Sequence, residues 1–292
     1  MLFYDLMNYN YPENKEYFKI NPDLKEWIVA KPIKLKSYSS DVSEYEKFIK
    51  KYQWLFKYLP FVRAVYVSNS VSFKSVHKNS DIDLFFVIEN DRLHIWRFFV
   101  RLIFKLLKIE WNHQQWKFCT GFWVTKYWVD MYPISIFPVD IYLAYWIAHL
   151  QPIYWETFED ILIVFKENFW VKNIIPAYDA KPQKIIDVEP VLWKSFVKKV
   201  LEKIFWFNWL NFVIWFFWKK KMLKEKQKLW KKWENIIISD NILKFFAPDK
   251  RQIVYLKYKA LKPHFLKKTH TKGWKIKKTN EKIQKDLFGE IG

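Results

Sequence analysis

The chain has 292 residues, 51% of them hydrophobic, enough for a sizeable core in one large or two modest domains, which excludes disorder of the whole chain. A single cysteine, Cys119, excludes an intramolecular disulfide framework and cysteine-based zinc sites and fits a reducing cytoplasm. The formal charge of +20 is uneven: residues 219–292 hold 22 Lys and Arg against 7 Asp and Glu, so the basic end either meets an anionic partner, nucleic acid or a membrane surface, or is a solvated lysine-rich surface.

Glycine and tryptophan are out of proportion. Only 4 Gly stand against 18 Trp, where ordinary glycine usage is about 7%. Trp111, Trp233 and Trp274 occupy places where a helix end or a turn would take Gly. A coding organism that reads a stop codon as Gly, translated with Trp instead, would leave this imbalance. Peptide masses of the native protein at these positions decide between the two residues.

In chain order, MLFYDLMNYNYPENK lacks the basic start and sustained apolar run of a signal peptide. Residues 1–40 are short apolar pieces broken by Pro12, Pro22 and Pro32, read as a small helical lead-in. Ser43-x-x-Glu46 has the form of a capping box. It opens a predicted helix with Tyr45, Phe48, Ile49, Tyr52, Leu55, Phe56 and Leu59 on one face, stopped by Pro60 and packed beneath the strand that follows.

Val62–Val67 and Leu84–Ile88 are short β-branched and aromatic runs that read as strands buried on both faces. The polar loop between them begins Ser68-Asn69-Ser70 and ends Ser80-Asp81-Ile82-Asp83. Alternation along a strand places Asp81 and Asp83 on one face, where the two carboxylates repel unless a cation sits between them. Mg²⁺ takes one or two carboxylates plus substrate phosphates, and a hydroxyl-rich turn can offer backbone N–H groups and a Ser hydroxyl to those phosphates. A lone D-x-D is equally two solvated acids at a strand edge; the strand, the turn and the apolar strand behind it favour the metal-binding reading.

A helix is predicted from about Arg92 to Lys108, with Arg97, Arg101, Lys105 and Lys108 as a basic stripe, either a solvated face or a track for a phosphate-bearing acceptor. Lys117–Thr125 and Tyr127–Ser135 read as two further strands. Asp130 lies within the second, where a carboxylate in apolar surroundings requires a partner or a metal. Asp140 competes with it as a metal ligand, although an N-cap for the helix IYLAYWIAHL accounts for Asp140 fully. His149, near the end of that helix, reads as a packed or capping residue.

A helix from Thr157 to about Trp170 is expected to close this part, and Pro176, Pro182 and Pro190 to mark a linker. Val191–Lys232 reads as one long helix or two. Its apolar segment 204–218 spans about 22 Å at helical rise, short of a ~30 Å hydrocarbon core. A buried core helix is favoured, with an interfacial membrane helix, followed by Lys219-Lys220-Lys221, as the second reading. Ser239-Asp240 reads as the cap of a short turn and Pro248-Asp249 as the start of a helix to about Leu261, while residues 263–292 read as a flexible basic tail.

The run Val62–Ile88, with FCTGFWVT and DIYLAYWIAHLQPIY after it, resembles the DNA polymerase β-like nucleotidyltransferase superfamily, in particular its small bacterial members, over about residues 60–175. That family's pattern is a strand, a Gly-Ser turn, a polar stretch, a D-x-D leading a hydrophobic strand, and a third carboxylate on a later strand. Here the turn is Asn69-Ser70. Asn is the non-Gly residue that best accepts a left-handed backbone, so Asn69→Gly should be tolerated.

The resemblance implies an α+β fold, with a short mixed β-sheet and packed helices over 41–175; the prolines and helical patterns beyond it are read as a mainly helical domain over 176–262. It implies transfer of a nucleoside monophosphate from an NTP, ATP first among candidates, to an acceptor, RNA being preferred. Asp81, Asp83 and Asp130 would be the catalytic carboxylates and ligands of two Mg²⁺ ions, and Ser68, Asn69, Ser70, Lys78 and Ser80 would hold the nucleotide. Two alternatives remain, a catalytically idle nucleotide- or RNA-binding module and a protein associated with a membrane surface through 204–221. The sequence has no Walker A motif, H-E-x-x-H or Rossmann glycine pattern.

Overall fold

The alternation of Val62–Ser68 sends Val65 and Val67 into one apolar cluster and Ala64 and Tyr66 into another, so this strand is covered on both faces. The computed structural model describes residues 39–76, 80–110, 117–136, 140–175, 177–192, 195–205, 216, 237–245, 251 and 254. Its strands are β1 (Val62–Ser68), β2 (Ile82–Ile88), β3 (Phe118–Thr125), β4 (Gln151–Trp155), β5 (Val191–Leu192), β6 (Ile237–Ile238) and β7 (Ile242–Lys244). They form one mixed sheet in the order β5-β4-β1-β2-β3-β7-β6. β1 runs antiparallel to both β2 and β4, while β2 and β3 are parallel.

Helices cover both faces, giving an α+β fold with the sheet as its middle layer. On one side lie α1 (Ser43–Tyr52), a 3₁₀ continuation over Gln53–Tyr58, and α3 (Leu93–Leu106), whose Ile49, Phe56, Val100 and Phe104 meet Ile82, Leu84 and Phe86 of β2. On the other lie α4 (Ile141–Ala148) and α5 (Phe158–Glu167), packed on Phe85 and Val87 of the same strand. Every residue of β2, Asp83 included, is buried. The short α2 (Asn69–Ser72) follows β1 directly, so the turn expected there is a single helical turn.

Several sequence expectations change. Ser43 and Glu46 do not form a capping box: Asp41 Oδ1 accepts from Ser43 N at 3.0 Å, and Glu46 Oε1 accepts from Asp187 N at 2.8 Å. The capping box instead opens α5, where Thr157 and Asp160 bond each other's backbone N–H. Asp is the shorter acid, but it reaches. The basic stripe of α3 is not all solvated, since Arg97 is buried with its guanidinium 4.3 Å from the Phe245 ring and Arg101 pairs with Glu110 at 2.5 Å.

Tyr127–Ser135 is not a strand but two 3₁₀ turns, Lys126–Trp128 and Tyr132–Ile134. The Asn168 side chain takes the place of a neighbouring strand: its Oδ1 accepts from Met131 N and its Nδ2 donates to Val129 O, both at 2.7 Å. Val129 and Met131 can therefore be buried without a ladder.

The proline-marked stretch beyond 175 packs into the fold. Tyr178, Ile186 and Val188 are buried, and Gln151 Oε1 accepts from Ile185 N at 2.6 Å. β5 pairs parallel with β4, and β6 and β7 extend the sheet beyond β3, so the sheet crosses the division expected near residue 175. α6 (Phe196–Ile204) turns Lys198 and Glu202 inward and leaves Phe196, Val197, Val200 and Ile204 exposed. No helix among the described residues is long and apolar enough to cross a membrane. The lead-in 1–38, most of the apolar segment 204–218, the helix expected up to Leu261 (Arg251 and Val254 apart) and the tail 263–292 lie outside the described residues.

Candidate metal centre

β2 begins at Ile82, so Asp81 and Asp83 bracket its first residue and share the face that Phe85 and Val87 present to α4. Across the parallel pairing Asp83 stands opposite Cys119, and Phe85 opposite Phe122. Cys119 and Phe122 are three residues apart and would lie on opposite faces of a regular strand. The register shift between Asp83 and Phe85 is a bulge of one extra residue in β3, which keeps Cys119 on the carboxylate side. Trp123 Nε1 donates to Thr120 O at 2.8 Å across this bulge, and Phe245 N donates to Gly121 O at 2.9 Å.

Carboxylate oxygens of Asp81 and Asp83 and Sγ of Cys119 all lie within 4.8 Å of one another. Burial pushes the Cys119 thiol well above its ordinary pKa, and the nearby Asp83 and Asp81 push it further. Without a cation, the cluster therefore holds a protonated thiol beside two acids. The donor set fits one divalent cation, two carboxylates being what Mg²⁺ commonly takes from a protein.

Asn69 organises the carboxylates. It has φ 56°, the left-handed conformation that the sequence anticipated for the turn. Its Nδ2 donates to Asp83 Oδ2 at 2.9 Å, and its Oδ1 accepts from Tyr142 OH of α4 at 3.0 Å. Ser68, fully buried, donates through Oγ to the Asp83 backbone carbonyl at 3.4 Å. The Ser70 carbonyl accepts from Ser75 N at 2.9 Å, closing the turn. Ser80 is buried beside Tyr45 of α1, whose hydroxyl pKa is raised by burial first, lowered by Ser80 and raised by Asp81. Lys78 lies outside the described residues.

Asp130 is not brought into this cluster. The chain leaves β3 at Thr125, the end of the strand away from Cys119, and Asp130 Oδ1 accepts from Tyr132 N at 2.9 Å within its own turn. Asp140 is the N-cap of α4, accepting from Leu143 N at 2.8 Å and Ile136 N at 3.1 Å, with Arg251 Nη1 at 3.4 Å. His149 is packed, as expected: its ring stacks on Tyr145 at 3.8 Å, Nδ1 lies 2.8 Å from Tyr145 O, and burial lowers its pKa. Three side chains at the site went unread in the sequence. Tyr45 and Tyr142 looked like core residues of apolar helices, and Cys119 is placed only by a bulge whose one local signal is Gly121.

Asn69→Gly suits the backbone but removes both side-chain bonds, so tolerance is no longer the expected result. Outer-shell partners of metal ligands are worth about 10–100-fold in metal affinity or activity. Divalent-cation affinity should fall by about tenfold in Asn69→Gly and by less in Tyr142→Phe, read by calorimetric titration. Unchanged affinity in both would take Asn69 out of the site.

No family model, curated protein or solved structure matches the chain.

Proposed function

We propose that the chain is a metal-dependent nucleotidyltransferase that moves a nucleoside monophosphate from an NTP to an acceptor. The observation that carries this reading is the pair Asp81 and Asp83 on one face at the start of a buried strand, with Asn69 of the preceding turn bonded to Asp83. A strand, a short turn, a D-x-D leading a buried strand and a later strand follow one another in the chain, the order the resemblance implies.

Asp81 and Asp83 would hold a divalent cation, which when bound would neutralise phosphate charge and orient the NTP. The turn Ser68 to Ser70 would place backbone N–H groups and the Ser70 hydroxyl against the β and γ phosphates. The acceptor hydroxyl bonds to the α-phosphorus, the bond to the β-phosphate oxygen breaks, pyrophosphate leaves and the proton passes to solvent. Pyrophosphate release that depends on a divalent cation separates this reading from an idle binding module, which would bind NTP without turnover.

RNA is the acceptor that the charge favours. Residues 219–292 carry a net +15 interleaved with Trp230, Tyr255, Tyr258 and Trp274, aromatic rings on which unpaired bases stack. Each phosphate neutralised on a single strand contributes about −0.7 to the slope of log affinity against log salt. The full chain should lose RNA affinity steeply with salt, and removing residues 263–292 should flatten the slope while leaving NTP binding intact. Identical slopes would assign the charge to another role.

A further inference from the structure

We infer that Cys119 is a metal ligand, and that Asp81, Asp83 and Cys119 together take a thiophilic divalent cation of the zinc or cobalt(II) kind in preference to Mg²⁺. The inference deepens the proposed function by naming the cation of the same site, and it rests on that reading only for the site being a metal centre.

β3 carries one extra residue between Cys119 and Phe122, and the result is a thiol opposite Asp83 on the face where both carboxylates lie. At tetrahedral angles, metal–oxygen bonds of about 2.0–2.2 Å and a metal–sulfur bond of about 2.3 Å set the donors about 3.3–3.7 Å apart. The three donor atoms lie within 4.8 Å of one another, so side-chain rotations of about 1 Å bring them to that spacing. The ligands come from adjacent hydrogen-bonded strands, with Asp83 buried and held by Asn69, so little ordering is left for the metal to impose.

Ligand chemistry then selects the metal. Mg²⁺ demands near-octahedral oxygen donors and keeps several waters, and a thiolate adds nothing to that preference. Thiolate ligands favour zinc and its neighbours, and affinity for mixed donor sets rises from manganese through cobalt to zinc. Three protein ligands with an open position is also the arrangement of catalytic rather than structural zinc sites, and it leaves room for a phosphate oxygen. The resemblance implies a third carboxylate on a later strand; among the described residues the third donor grouped with Asp81 and Asp83 is Cys119.

The test uses the purified full chain, stripped with a chelator and titrated with Co²⁺ alone. A thiolate-to-cobalt charge-transfer absorption should appear and saturate at one equivalent. Cys119→Ser should lose that absorption and bind Co²⁺ at least about tenfold more weakly. Cys119→Asp should bind without the absorption and shift the preference toward Mg²⁺. Circular dichroism establishes that each variant is folded. No absorption in the native chain, or Co²⁺ affinity unchanged in Cys119→Ser, overturns the inference, and so does Co²⁺ affinity unchanged in Asp83→Asn, which would take the carboxylate out of the ligand set. The outcomes also separate the two claims: absorption without nucleotidyl transfer under any cation removes the enzyme and keeps the metal centre, whereas Mg²⁺-dependent transfer without absorption removes Cys119 as a ligand and keeps the enzyme.

Discussion

Asp83→Asn, and in parallel Asp81→Asn, should abolish cation-dependent nucleotidyl transfer while leaving the fold intact. Asp83 sits opposite Cys119 with Asp81 on the same face, so its charge is held against a second carboxylate at close range. An amide of the same shape relieves that repulsion, and its oxygen still accepts from Asn69 Nδ2. Stability measured without metal should therefore change by less than about 1 kcal/mol. Activity should fall by well over the ~10–100-fold that loss of an outer-shell partner costs, because a direct ligand is removed. A large fall in melting temperature in both variants would show the pair to be structural.

Lys198→Met should be strongly destabilising. Lys198 is fully buried on α6, where Nζ donates to Val62 O at 2.5 Å and Tyr154 OH at 2.8 Å and pairs with Glu156. Arg63 completes the network, paired with Glu156, with Glu89 at 2.8 Å and with Glu202 at 3.1 Å. Glu202 also accepts from the backbone N of Phe61 at 2.9 Å, a bulky residue held at φ 57°. Removing the amine leaves Glu156, the Val62 carbonyl and the Tyr154 hydroxyl without their buried donor, a loss of about 3–5 kcal/mol. For a chain of this size that lowers the melting temperature by about 10 °C. Replacing Lys198, Glu156 and Glu202 together by apolar residues should recover much of the loss, and a triple variant no better than the single one would refute the electrostatic account.

The same residue sets a pH dependence. Burial lowers the Lys198 pKa from its ordinary 10.5 to about 8, although Glu156 and Glu202 pull it up. The unfolded chain therefore binds the proton more tightly than the folded one. The resulting cost to stability is full below about pH 8 and is relieved as pH rises from there toward 10.5, so this residue should add stability across that window.

The central strands were legible because their chemistry is local. Val62–Ser68 and Ile82–Ile88 are apolar on both faces, and both faces are covered. The N-cap role of Asp140 and the left-handed Asn69 followed from the same local reasoning. What escaped depends on partners distant in sequence. Asn168 serves Val129 and Met131 from 37 to 39 residues away, so an apolar alternation passed for a strand and Asp130 for its carboxylate. Lys198 and Glu202 reach β1 across more than 130 residues, which hid the role of α6 behind a run of prolines. Cys119 reaches the carboxylates only because β3 is bulged, and a one-residue slip would have put it on the other face.

The most direct test of the central claim is pyrophosphate release from each of the four NTPs, with RNA as acceptor and Mg²⁺, Mn²⁺, Co²⁺ or Zn²⁺ in turn, by the full chain and by Asp83→Asn. The nucleotidyltransferase account predicts release that requires a divalent cation and vanishes in Asp83→Asn. Release equal in the two proteins, or no release above the Asp83→Asn level with any cation, would contradict it.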